Sequence, residues 1–391
     1  MPSLDELRRP RNNPLGDSNS REVWQRLRRE LALPSLPSQA DASAPETQSP
    51  RRVRLSLSKV RGFLESPLQG AAKVQLGLRE DAADPFGVDR EPLQANNLDR
   101  AIALREVIFH ALQHDTPPGE LASLYDDLLL PRATLAGGLP SGQFLAHDRD
   151  SHIDALETWW ANFEHLGIEL PLVRFGIGVD VHAPEHTLGP VEIELDPDRH
   201  DVPEHVIVEI TGSTEATSPC GETYVCFAES TSASPSERHF LRCFLSWVAS
   251  TAAGRDHPDE VRLVVATTKD HSSSRAKTLG RFTRRYGSWS REQATDYLAK
   301  LSASLLFDSH DYLLPIQFVA ACGKSDDDPD LDQLRSWLED QLANSYSSAA
   351  FQYGPIKDYQ RFGAPQDLDI TETLRTRYPH LFSATPISEA T

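Results

Sequence analysis

The chain has 391 residues, with 39 Lys and Arg against 58 Asp and Glu and a formal charge of −19. That is enough for two domains at roughly 100–200 residues each, and the acidity argues against a free-standing DNA-binding protein, because nucleic-acid affinity rests largely on Lys and Arg replacing condensed counterions. No run approaches the roughly 18–20 apolar residues that span a bilayer, no basic-then-apolar signal opens the chain, and Cys220, Cys226, Cys243 and Cys322 form no C-x-x-C pair or disulfide framework, so a reduced, cytoplasmic protein with no membrane partner is expected.

The charge is unevenly spread. Residues 1–61 hold 12 basic and 7 acidic side chains, net +5, and the remainder holds 27 and 51, net −24. A basic arm precedes an acidic body. The arm, residues 1–52, is poor in apolar residues and rich in Pro, Ser, Asn and Arg, the composition of a disordered segment. Within it Ser20 can cap a short helix carrying Val23, Trp24, Leu27 and Leu31, and the run from Pro34 to Pro50 reads as a linker.

The body opens near Leu55, where Ser58 can cap a helix bearing Val60, Phe63 and Leu64, interrupted at Ser66-Pro67 and resumed through Ala71, Val74 and Leu76. Helical spacing recurs from Leu98 to Leu112 and from Ser151 to Leu166, so residues 53–170 form a mainly helical subdomain. Beyond residue 170 the period shortens. Val173–Val179, Val191–Leu195, Val206–Ile210, Thr223–Phe227 and Val261–Val265 read as strands. Phe240–Thr251 is a strongly apolar helix, and Ser290 with Gln293 forms a capping box that opens another. Residues 171–391 thus form an α/β core with a C-terminal extension.

Leu57-Ser58-Lys59-Val60-Arg61-Gly62-Phe63-Leu64-Glu65-Ser66-Pro67-Leu68, ending in Leu76-Gly77-Leu78, resembles the opening helix of the RecB, AddB and RecC nuclease-like domains. Asp89-Arg90-Glu91-Pro92-Leu93, the helix to Leu112 and Gly138-Leu139-Pro140-Ser141-Gly142-Gln143-Phe144 are most similar to the C-terminal part of RecC, the gamma subunit of exodeoxyribonuclease V. The helices around Phe240–Trp247 and from Ser290 follow in the same order, so the resemblance covers about residues 53–383 and omits the helicase-like portion of RecC.

The resemblance implies a PD-(D/E)XK nuclease fold: a central mixed sheet flanked by helices, here preceded by a helical region and the arm. Active members hold Mg²⁺ with an Asp at the start of a β-hairpin and an Asp or Glu two residues before a Lys at its end, two carboxylates fixing the metal and an ammonium serving the attacking water. By that likeness Glu215 falls at the first carboxylate, Phe227 at the second and Glu229 at the Lys. A Phe cannot bind metal and a Glu inverts the Lys charge, which implies a degenerate site without cofactor, as in RecC. Register is sensitive to a one-residue shift, but the strand Val206–Ile210 ends in Glu209-Ile210-Thr211 and supplies no Lys either.

Two charged segments carry further readings. Between Asp180 and His205 lie eight carboxylates and four histidines, including His182 and His186 at i, i+4; Pro184 spoils the helix such a metal pair needs, which favours a solvated insertion. Lys269, Arg275, Lys277, Arg281, Arg284, Arg285 and Arg291 interleave with Phe282, Tyr286 and Trp289. This is either a single-strand DNA platform or a hairpin strand with basic residues facing solvent and aromatics in the core. Asp326-Asp327-Asp328 lacks the Gly and Glu of a calcium loop, and neither a nucleophile elbow nor a Walker loop occurs.

The expected function is therefore that of a non-catalytic, DNA-associated or scaffold subunit in double-strand break repair, with a RecB-like helicase-nuclease and shared DNA as partners. Two alternatives stand beside it. One is an active Mg²⁺-dependent exonuclease with a migrated lysine, Lys269, near Glu215 and Glu229. The other is a fragment acting only as an interaction domain through its arm.

Overall fold

A computed structural model describes residues 50–78, 97–114, 116–135, 139–140, 142–180, 184–229, 236–268, 282–310, 312–322, 333–334, 336–337, 340 and 370–382. The chain divides into two compact units, Met1–Ser49 with Asp308–His310, and Pro50–Phe307 with Asp311–Thr391. All secondary structure of the described residues belongs to the second. The arm helix from Ser20 and the Pro34–Pro50 linker, its last residue apart, lie outside the described residues.

Strand β1 (Arg51–Ser56) leads into α1 (Leu57–Glu65) and α2 (Pro67–Gln75). Helices α3 (Asn97–Gln113), α4 (Leu121–Leu128), α5 (Leu130–Leu135) and α6 (Gly142–His165) follow. Then come β2 (Gly176–Ile177), β3 (Thr187–Leu188), β4 (Val191–Leu195), the short α7 (Pro197–His200), β5 (Val206–Ser213), β6 (Ala216–Thr217) and β7 (Thr223–Ala228). Helix α8 (Glu237–Ala252) joins β7 to β8 (Glu260–Thr267). After β9 (Thr283–Gly287) the chain returns to helix: α9 (Arg291–Phe307), α10 (Ile316–Cys322), α11 (Ile370–Arg377) and α12 (Pro379–Phe382).

In the first sheet β5 is central. β1 pairs with it in parallel from Arg51↔Val206 to Ser56↔Thr211, and β4 in antiparallel from Val191↔Ile210 to Leu195↔Val206. Alternation explains the faces. Val191, Ile193 and Leu195 are buried with Val206, Val208 and Ile210, while Glu192 and Glu209 face outward to meet Arg52 at 3.0 and 3.1 Å and Arg54 meets Glu209 at 3.2 Å. The arginines of β1 thus lie on a cross-strand carboxylate row. The body begins with this strand rather than with a helix near Leu55, and Arg51 and Arg52, counted with the arm, belong to the sheet.

In the second sheet, β6 and β7 are antiparallel, β7 and β8 parallel, β8 and β9 antiparallel. Every residue of β7 is buried. Its Tyr224, Cys226 and Ala228 enter one core with α1, α8 and α9, and its Val225 and Phe227 enter another with α3, α4 and α6. A sheet covered on both faces reads as a continuous apolar run, which is the character of Tyr224-Val225-Cys226-Phe227-Ala228.

Local signals mostly hold. The break at Ser66-Pro67 separates α1 from α2, with Pro67 in the first turn where its missing N–H costs nothing. The two helices approach so closely that a Cβ on Gly70 would lie 2.4 Å from Phe63 Cα. Ser290 N–H donates to Gln293 Oε1 at 2.8 Å and Gln293 N–H to Ser290 Oγ at 3.2 Å, completing the expected box. Other expectations shift. The cap of α1 is Ser56, whose Oγ accepts from Lys59 N–H at 3.3 Å, rather than Ser58. Helix α6 starts at Gly142, a full two turns before Ser151. Of the strand expected over Val173–Val179 only Gly176–Ile177 pairs as a strand, because Gly178 at φ +62° turns the chain away; Val173 makes a single bridge to Thr217.

Candidate functional site

Strands β6 and β7 form the hairpin singled out in the sequence, closed at Cys220-Gly221. Gly221 has φ +79° and packs against the His257 ring, where a Cβ would lie 2.5 Å from Nδ1. Helix α8 then carries the chain back to lay β8 parallel to β7. Glu215 sits between the end of β5 and the start of β6. Its backbone N–H donates to Ser246 Oγ at 2.9 Å, and that hydroxyl donates to the Arg242 carbonyl at 2.8 Å, so α8 holds the strand junction in place.

The Glu215 carboxylate, only 7 % exposed as a residue, lies between two guanidinium groups. Arg105 of α3 donates from Nη2 to Oε1 at 3.0 Å and Oε2 at 2.8 Å, and Arg242 of α8 donates from Nε to Oε1 at 2.7 Å. Burial works against the Arg105 charge, but Glu215 outweighs it and the pKa rises. A third arginine borders the junction. Arg174 donates to the Thr214 carbonyl at 3.1 Å and to Ser213 Oγ at 2.6 Å, and lies over the Phe109 ring 4.3 Å from its centre. For Arg174 burial lowers the pKa, Glu215 raises it and Arg105 lowers it again, which places the three charges in one field.

Glu215, Phe227 and Glu229 do not converge. Phe227 is buried among Phe109, Trp159 and Phe163, with ring centres 5.6, 5.7 and 5.8 Å away. Glu229 pairs with Arg100 at 2.6 Å, and burial raises its pKa. The pairing Ala216↔Val225 continues one step to set Glu215 beside Cys226, so the β7 residues sharing its face are Tyr224, Cys226 and Ala228. None offers a carboxylate or an ammonium.

Lys269, Arg275, Lys277 and Arg281 lie outside the described residues. Arg284, expected on a solvent face, turns inward: it donates from Nη1 to Glu237 Oε2 at 2.7 Å and covers the Phe240 ring at 4.0 Å. An arginine near the start of β9 with a carboxylate at the start of α8 is drawn to it. Arg285 is more open, 3.6 Å from Glu260. Phe282 and Tyr286 are buried, and Trp289 packs on Phe244, Trp247 and Tyr297, so these three aromatics serve the core rather than a stacking platform. His182 and the Asp326 run are also outside the described residues; His186 meets Phe175, His205 meets Glu194 at 2.7 Å, and no metal-binding group of three His, Cys, Asp or Glu occurs among the described residues. No helix among them is long and apolar enough to cross a membrane.

Arg105, Arg174 and Arg242 were not singled out by sequence reasoning. A signal existed for one of them: Arg242 is a lone cation inside the apolar helical run Phe240-Leu241-Arg242-Cys243-Phe244, and a cation in that setting demands a partner.

An antiparallel hairpin, a long apolar helix and a parallel return strand, with helices on both faces, define a mixed α/β protein of nuclease-like type. The chain matches the family described as the RecC C-terminal domain over residues 53–323, more than half of its length, and belongs to that family. The PD-(D/E)XK placement implied by the motifs is consistent with this membership, which suggests a part in recombination repair of the RecBCD type. No curated protein matches the chain.

Proposed function

We propose that this protein is a non-catalytic subunit of an exodeoxyribonuclease V-like complex, acting with a RecB-like helicase-nuclease on DNA during double-strand break repair. The observation that supports it is the double arginine bracket on Glu215. Mg²⁺ takes hard oxygen ligands in near-octahedral geometry. Here the one carboxylate at the hairpin start is already matched by two cations, and of Tyr224, Cys226 and Ala228 on its face only Tyr224 carries an oxygen, a hydroxyl engaged with Ser250, so the donor set does not fit that metal. Without a metal no hydroxide is generated and no leaving oxygen is neutralised, which removes the usual route to phosphodiester hydrolysis.

The acidic total supports a shared rather than solitary grip on DNA. With −19 overall and Arg284 held by Glu237, the cationic contribution of the segment 269–285 rests on Arg285 and on Lys269, Arg275, Lys277 and Arg281. The test combines nuclease assays with co-purification. The purified chain should leave linear single- and double-stranded DNA intact in Mg²⁺ and should be recovered with a RecB-like partner. Mg²⁺-dependent cleavage lost in Glu215→Ala would establish the active reading, with Lys269 as its missing ammonium, instead.

A further inference from the structure

We propose that Arg105, Arg174 and Arg242 form a binding site for a phosphate oxyanion, a nucleic-acid backbone phosphate or a free one, with Glu215 as the internal anion that moderates its affinity. The inference rests on the non-catalytic reading above, since the same residues cannot also cradle a metal ion.

Charge counting makes the case. Two guanidinium groups bind one carboxylate and a third, Arg174, borders it on the adjoining residues, leaving a local excess of two positive charges in a body whose sequence is strongly acidic. A guanidinium carries five N–H donors, and a carboxylate accepts about four bonds in all, so Glu215 cannot engage all the donors around it. Arg105 Nε is buried without a hydrogen-bond partner, and Arg174 satisfies only a carbonyl and a hydroxyl, both neutral. The neighbouring His239 reports the same potential: burial first, then Arg105 and Arg238, push its pKa down to about 4, so it stays neutral.

Geometry makes the cluster a site rather than a scatter. The three arginines arrive from α3, the segment before β2, and α8, and each is fixed: Arg105 and Arg242 by Glu215, Arg174 by the β5–β6 junction and the Phe109 face. The Arg105 and Arg242 side chains remain 17 and 19 % exposed, so the cluster is not sealed from solvent. Preset planar donor forks around a point suit a tetrahedral oxyanion, which takes paired bonds from guanidinium groups.

The competing view holds that the arginines only tie α3 and α8 to the hairpin, and the signs of two substitutions separate the views. The full-length chain is titrated with a fluorescent single-stranded oligonucleotide by anisotropy, and with inorganic phosphate by calorimetry. Arg174→Gln, whose amide can take over the Nε bond to the Thr214 carbonyl, should weaken phosphate binding about tenfold and flatten the oligonucleotide salt dependence by about one unit of slope. Glu215→Gln, which removes the internal charge, should strengthen it about threefold or more. Sensitivity in both titrations assigns the site to a nucleic-acid backbone, and sensitivity in the phosphate titration alone assigns it to a small anion. If folded Arg174→Gln and Glu215→Gln both bind phosphate and oligonucleotide as the parent chain does, the site does not exist, whatever the nuclease assay shows. If both substitutions weaken binding, Glu215 is part of the receptor rather than its moderator and the inference is overturned.

Discussion

The imidazole of His380 lies flat on the ring of Phe244, with centres 4.7 Å apart and planes 25° from parallel. The residue is 1 % exposed, neither ring nitrogen has a hydrogen-bond partner, and burial, reinforced by Arg284, holds its pKa well below the ordinary histidine value. The carbonyl of the same residue accepts from Tyr286 Oη at 2.7 Å, so α12 is pinned to β9 at this point.

The fold should therefore be acid-labile in a defined window. His152, His239 and His257 are also driven down to about 4, in each case chiefly by burial. Unfolded, these histidines titrate near about 6.5. The unfolded chain thus takes up protons that the folded chain refuses, so the contribution is complete above about 6.5 and drains away as pH falls toward 4. Thermal unfolding should show Tm dropping steeply across that interval, and His380→Phe should flatten the slope. A Tm unchanged from pH 7 to 4.5 would contradict this account.

Glu237 and Arg284 form a pair in which both partners are largely removed from water, with side chains 7 and 24 % exposed. Glu237→Ala strands the guanidinium over Phe240 and should cost about 3–5 kcal/mol by urea denaturation. Replacing both partners with apolar residues should recover most of the loss, because the penalty comes from the orphaned charge. A single substitution costing under about 1 kcal/mol would show the pair to be solvated after all.

Gly70→Ala should reverse the usual sign for a helix. An exposed helical glycine replaced by alanine gains about 1 kcal/mol from propensity. At Gly70 the new methyl would meet Phe63 Cα at 2.4 Å and Phe63 N at 2.5 Å, backbone atoms that cannot swing aside. We expect a net loss of about 1–3 kcal/mol, measured as a lower denaturation midpoint with unchanged slope.

Phe227→Ala should destabilise the chain by about 3–5 kcal/mol, the range for emptying an aromatic site in a packed core. Phe227→Asp should do worse and confer no Mg²⁺-dependent nuclease activity, since Phe227 faces Phe109, Trp159 and Phe163 rather than Glu215. Appearance of such activity in a folded Phe227→Asp chain would mean that the residue lies on the site face.

What the sequence disclosed and what it hid follow from the range of the interactions. The capping box of Ser290 and Gln293 and the Pro67 break involve neighbours, and both stood where the residues suggested. The buried faces of β4 and β5 were legible because alternation is a local record of burial. Strand β1 was not, because Arg51-Arg52-Val53-Arg54 looks like a solvated arm until Glu209 and Glu192 arrive from more than a hundred positions away. The site divides the same way. Glu215 was found at the hairpin start, whereas its partners Arg105 and Arg242, and the face it shares with Cys226, depend on how α3 and α8 pack.

The pairing of β1 with β5 also carries a cost in time. Arg51 and its partner Val206 are neighbours in the sheet but far apart along the polypeptide, so a ribosome must deliver everything between them before the first strand can close. Until then β1 has neither side paired, and it remains the edge of the finished sheet, the kind that recruits stray strands. Its three arginines, later matched by Glu192, Glu204 and Glu209, guard it in the meantime, because a cationic edge repels copies of itself. The same residues protect the nascent chain and then latch the finished sheet.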